Sequence, residues 1–109
     1  MHFNLLGNQH RYKKLPRPVR DYMTHRFSLL PEYLDTLRCF EYIGLFNGKQ
    51  VKYLDIFSPH FAYEHNLMIK DNQDLKEHPE MLFYRGHIDS QGGIYVTDRR
   101  VPLKRLKVS

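Results

Sequence analysis

The sequence predicts an α+β domain in which N-terminal helices pack on an antiparallel sheet built from two β-hairpins, at about residues 38–57 and 81–100. Three observations carry that expectation. Asn47-Gly48 separates two runs rich in β-branched and aromatic residues, Gln91-Gly92-Gly93 interrupts a second such pair, and the chain before them repeats apolar residues at three-to-four spacing.

The chain is read as an extended basic arm over residues 1–17 followed by a single domain over 18–109. Pro16 and Pro18 fix φ and bias Leu15 and Arg17 away from helix, which favours an extended arm. Pro18 then serves as the first residue of a helix whose Val19, Tyr22, Met23 and Phe27 fall on one face. A second short helix follows, with Ser28 as its cap, Pro31 in its first turn, and Leu30, Tyr33, Leu34 and Leu37 along one side.

In the first hairpin, Asn-Gly is the signature of a type I′ turn, because both central residues take positive φ. That turn places Phe46 opposite Lys49, Gly44 opposite Val51, Tyr42 opposite Tyr53 and Phe40 opposite Asp55. One face then carries Phe40, Tyr42, Phe46, Val51, Tyr53 and Phe57. The other carries Cys39, Ile43, Leu45, Leu54 and Ile56. For the second hairpin, turning at Gln91-Gly92 places Ile88 opposite Tyr95 and Arg85 opposite Asp98. Between the hairpins, Ser58-Pro59 starts one turn of helix that Asn66 ends, and Asp71 or Asn72 caps another that stops by His78. Leu67–Lys70 reads as a short buried strand, and the segment from Val101 onward as an edge strand or tail.

Composition sets the outer limits on function. Cys39 is the single cysteine, so an intrachain disulfide is excluded; with no secretory apolar core near the start, the reading is a reducing, cytoplasmic setting. Cys39 reads as a small buried hydrophobe. No run of eighteen apolar residues occurs, so no membrane partner is expected. The net charge of +5 divides unevenly: residues 1–26 carry +5, residues 27–80 carry −4 and residues 81–109 carry +4. If the two basic ends lie together, they make a positive face suited to nucleic acid or an acidic protein. The candidate anion-binding residues are Arg11, Lys13, Lys14, Arg17, Arg20, Arg99, Arg100, Lys104 and Arg105. Tyr42, Tyr53, Tyr84 and Tyr95 are the candidates for stacking or for an interface.

Enzymatic readings rank lower. The stretch "DIFSPHFAYEHN" gathers Asp55, His60, Glu64 and His65, and on a helix His60 and Glu64 are neighbours. Only two ligands converge there, so no metal site is expected; Asp55, His60 and Glu64 are its weak candidates, and strand end followed by capped turn is the preferred reading. A small metal-dependent or acid–base enzyme is the third-ranked function. No G-x-S-x-G, P-loop or Rossmann fingerprint occurs, and no cofactor is expected. The sequence therefore points first to a basic, non-enzymatic binding module for an anionic partner. The alternative is a protein–protein or self-association domain, including a homodimer, that uses an apolar sheet face.

Overall fold

In the computed structural model, which describes residues 12–101, Asn47 and Gly48 take φ values of 53° and 78° and turn the chain directly from one nine-residue strand into the next. These strands are β2 (Arg38–Phe46) and β3 (Lys49–Phe57), paired with Phe46 opposite Lys49, Tyr42 opposite Tyr53 and Phe40 opposite Asp55. Around them the chain forms β1 (Lys13–Lys14), α1 (Arg17–Phe27), α2 (Pro31–Leu34), α3 (Pro59–Glu64), α4 (Asn72–Glu77), β4 (Leu82–Ile88) and β5 (Ile94–Asp98). The result is a mixed α+β fold whose five-stranded antiparallel sheet runs in the order β1-β2-β3-β4-β5. A β-branched residue resists positive φ, and nothing lies within 4 Å of a Cβ built at Gly48. Gly48→Val therefore tests the backbone alone. It should lower the unfolding free energy by roughly 1–3 kcal/mol, the cost of one strained residue, read by urea denaturation.

One face of the sheet is closed by α1 and α2. Proline in the first turn starts each helix, and Val19, Met23, Leu34 and Leu37 meet Cys39, Leu54, Ile56, Tyr84 and Val96 from the strands. Ser28 corrects an expectation here. With φ 56° it ends α1 in the left-handed conformation, and α2 begins at Leu30 without a side-chain cap. The left-handed residue turns the chain sharply between the helices, which a capping serine in extended conformation would not do.

Among the described residues, the opposite face is covered at one end, chiefly by the segment between β3 and β4. Phe40, Phe57, Ala62, Ile69, Leu75, Met81 and Leu82 form this second core, with the Phe40 and Phe57 rings stacked at 5.4 Å. The stretch from Asp55 is a strand end, then Ser58 capping α3 through the Phe61 N–H at 3.1 Å. Leu67–Lys70 pairs with no strand. Ile69 is instead buried as part of an irregular connection whose end is fixed by a capping box between Asp71 and Asp74. Asp74 also accepts the Lys70 N–H at 2.8 Å, and this backbone bond holds its carboxyl below the ordinary value of 3.8. A depressed pKa contributes stability that is complete above 3.8 and is lost as pH falls through the folded-state value. Asp74→Asn should thus cost a few tenths to about 1 kcal/mol at pH 7, typical of a lost cap, and the gap to wild type should close toward pH 2 in parallel denaturation curves.

The second turn departs from the sequence expectation by one residue. Tyr95 lies opposite His87, Thr97 opposite Arg85 and Asp98 opposite Tyr84. The Asp89 carboxylate accepts the N–H groups of Gln91 at 2.9 Å and Gly93 at 2.7 Å, while the Asp89 N–H donates to the Gly93 carbonyl. These bonds enclose an odd-length turn over residues 90–92, with Gly92 at φ 88°. Changing the turn from even to odd shifts the register by one, so Arg85 meets Thr97 and not Asp98.

Candidate interaction surface

Beyond the second core, the half-covered face ends in rings. Register places Phe46, Val51 and Tyr53 from the first hairpin beside His87 and Tyr95 from β4 and β5. Their centroids form a chain: Tyr42–Tyr53 at 5.4 Å, Tyr53–His87 at 6.0 Å, Phe46–His87 at 4.5 Å and His87–Tyr95 at 5.1 Å. Phe46, Asn47, Lys49, Val51, His87, Asp89 and Tyr95 line a shallow hollow of about 370 Å³. Phe46 remains 46% exposed and Tyr95 55%. On the other face of the same hairpin end, past the reach of α1, Ile43 is 60% exposed and Leu45 69%. The distal end of the sheet thus offers apolar surface on both sides.

A buried ion pair marks the boundary between core and surface. Asp55 is 1% exposed and sits opposite Arg85, whose Nε donates to Oδ1 at 2.8 Å and whose Nη2 donates to Oδ2 at 3.2 Å. The Tyr42 hydroxyl adds a bond to Oδ2 at 3.2 Å. Hydrogen bonding to Asp55 raises the Arg85 pKa, and burial followed by the Asp55 charge raises that of Tyr42. The carboxylate is therefore engaged on both oxygens, a positioning arrangement that fixes the Tyr42 ring against Tyr53 and aligns β3 with β4.

Gly44 has a definite role in this surface. A Cβ built there would lie 2.6 Å from the Tyr53 ring, so the absent side chain lets that ring lie across β2. In this position the Tyr53 hydroxyl donates to the Leu45 carbonyl at 2.7 Å.

The residues singled out from the sequence fall in several places. Tyr42, Tyr53 and Tyr95 belong to the distal surface. Tyr84 is on the opposite face, in the core under α1, where burial and then Tyr33 raise its pKa. Arg11, Lys104 and Arg105 lie outside the described residues, as does the tail after Val101. Lys13 pairs with Glu41 at 2.9 Å, Lys14 is exposed beside it, and Arg20 pairs with Asp35. Arg17 is exposed at the start of α1, and the Arg99 N–H donates to the Phe83 carbonyl at 2.8 Å. Arg100 is held by Asp98 and by the Tyr84 hydroxyl at 2.6 Å, with its guanidinium 4.6 Å from the Phe83 ring centre. Since β1 and β5 are the two opposite edges of the sheet, Lys13 and Lys14 are separated by its full width from Arg99 and Arg100.

His60 and Glu64 meet at 3.1 Å on α3, while Asp55 is committed to Arg85, so the three do not converge. Among the described residues, no group of three or more His, Cys, Asp or Glu is placed to hold a metal ion. Cys39 is fully buried; burial first, then the Glu41 charge, pushes its thiol pKa up to about 12. His87 and Arg85 are the members of the surface that sequence reasoning missed. Their signal lies in the pairing of β3 with β4, which no short turn encodes. Among the described residues, no helix is long and apolar enough to cross a membrane. No protein-family model, curated protein or solved structure matches the chain.

Proposed function

We propose that this chain is a non-enzymatic protein-interaction module that presents the distal end of the β2–β3 hairpin to a partner. The observation that carries the reading is the exposure of Ile43 and Leu45 on one side of that end and of Phe46 and Tyr95 on the other. A sheet end apolar on both sides is unusual for a surface meant to face water, and contiguous apolar patches commonly mark interfaces. Rings dominate it, and Lys49 and Arg85 are balanced nearby by Asp89 and Asp55. A near-neutral, ring-rich surface favours a protein over a polyanion.

The test is comparative. Crosslinking in native extract should capture a partner with the wild-type chain, lose it with Ile43→Glu and Leu45→Glu, and keep it with Leu30→Glu, which changes an equally exposed leucine remote from the hairpin. Equal capture by all four would reject the surface. The earlier anion-binding reading is separated by titrating single-stranded RNA and duplex DNA at two salt concentrations: tight binding with a steep salt dependence would return the function to the basic residues.

A further inference from the structure

The pairing of β1 with β2 carries a direction. Lys13 lies opposite Cys39 and Lys14 opposite Arg38, so each step back along the chain from β1 is a step forward along β2. Tyr12 already keeps that register. Its position is the one opposite Phe40, and its ring meets the Phe40 ring edge-on at 5.9 Å, on the face of the second core. Past that point β2 runs on over residues 41–46. A two-residue turn makes Phe46 and Lys49 a bonded pair, so Tyr42 and Gly44 bond β3 while Glu41, Ile43 and Leu45 point N–H and C=O toward the β1 side. A cleft of about 650 Å³ flanks the start of this stretch, between residues 40–43 of β2 and Asn72, Gln73 and Lys76 of α4.

We propose that residues 6–11, which lie outside the described residues, extend β1 along this edge in the register that Lys13 and Lys14 set. The covalent chain selects the occupant. A strand already paired at two residues adds each further pair without closing a new loop, and its tether keeps it concentrated at the edge beyond any separate molecule. The same continuity fixes which residues meet. Arg11 takes the place opposite Glu41, His10 opposite Tyr42, Gln9 opposite Ile43, Asn8 opposite Gly44, Gly7 opposite Leu45 and Leu6 opposite Phe46. No proline occurs among them, so Arg11, Gln9 and Gly7 bring an N–H to each of the outward-pointing positions of β2. Arg11 falls beside the carboxylate that already draws Lys13 and Lys52. Leu6 arrives next to Phe46 on the ring face, while Gly7 brings no side chain over Leu45. The backbone edge is thereby closed to an added strand, and the side chains of Ile43 and Leu45 keep an open face. The inference goes beyond the partner reading and limits it: a partner docks on side chains and not by strand addition to β2.

Solution NMR of the full chain tests this. In the proposed register His10–Tyr42 and Asn8–Gly44 are non-bonded pairs with Cα atoms about 4.5 Å apart, so Overhauser contacts between their Hα protons should join them. The Ile43 and Leu45 amides should be protected to the same degree over a hundredfold range of protein concentration. Gln9→Pro removes the N–H that faces the Ile43 carbonyl. It should erase both contacts and speed exchange at Ile43 and Leu45 by roughly 10-fold, the order expected when one or two backbone hydrogen bonds are lost, at unchanged circular dichroism. If that variant misfolds, the wild-type contacts decide alone. Rapid exchange at Ile43 and Leu45 with neither contact present overturns the proposal, as do contacts that report a different register. Protection that grows with concentration also overturns it, giving the edge to a second copy. Protection that Gln9→Pro leaves unchanged overturns it by assigning the edge to other residues.

Discussion

Arg85→Met should lower the unfolding free energy by about 3 kcal/mol, at the lower end of the range for breaking a buried ion pair. The cost arises at Asp55. That carboxylate is 1% exposed, and without Arg85 it keeps, among the described residues, the Tyr42 hydroxyl at 3.2 Å. The Arg85 side chain is itself 40% exposed, so water already screens the guanidinium and the upper end of the range does not apply. For a domain of this size the loss corresponds to a fall in Tm of roughly 10 °C or more. The double variant Asp55→Val with Arg85→Met should recover much of the deficit, because replacing both charges by apolar groups leaves no buried charge unpaired, at the cost of one acceptor for the Tyr42 hydroxyl. Thermal denaturation of the two single variants and the double variant completes the cycle. A single-variant change under about 0.5 kcal/mol, the size of an ordinary surface substitution, would show that Arg85 does not hold the carboxylate.

Phe57→Ala should cost about 3–5 kcal/mol, the usual range for deleting a fully buried phenylalanine. Phe57 is completely buried, stacked on Phe40 and met edge-on by the Tyr12 ring at 5.4 Å. It therefore joins the end of β3 to the connection that covers the second face. The loss should be regional as well as global. Hydrogen exchange should quicken most across α3 and α4, whose core it anchors, and least in α1, which packs on the other side of the sheet. Uniform acceleration in both regions would show that the two cores behave as one cooperative unit.

Local chemistry accounts for the parts of this fold that were legible in the sequence. Asn47-Gly48 needs no help from the rest of the chain to turn, and the pairing of β2 with β3 follows from it. Ser58-Pro59 and Asp71 likewise announce helix starts by their own capping groups. The turn after β4 was harder to read because its length is decided by one carboxylate. Asp89 folds back on Gln91 and Gly93, and Gly92 tolerates the odd-length geometry that results. Ser28 was misassigned because a serine between two helices has the same composition whether it ends one or starts the other. The surface was half legible. Tyr42 and Tyr53 follow from the first turn, but His87 and Arg85 reach it only when β4 docks on β3, across the whole segment that builds the second core.

The order of strands in the sheet is also their order in the chain, and this bears on synthesis. Each strand finds its neighbour as soon as the next one has been made, so the ladder can grow stepwise from the ribosome without long excursions of the chain. The bond from Val96 to the Tyr22 hydroxyl is different, since it joins residues 74 apart. The first long helix is complete early but cannot close against β5 until nearly all the described chain has emerged. Until then the face it shares with the sheet has no outer strand to end on.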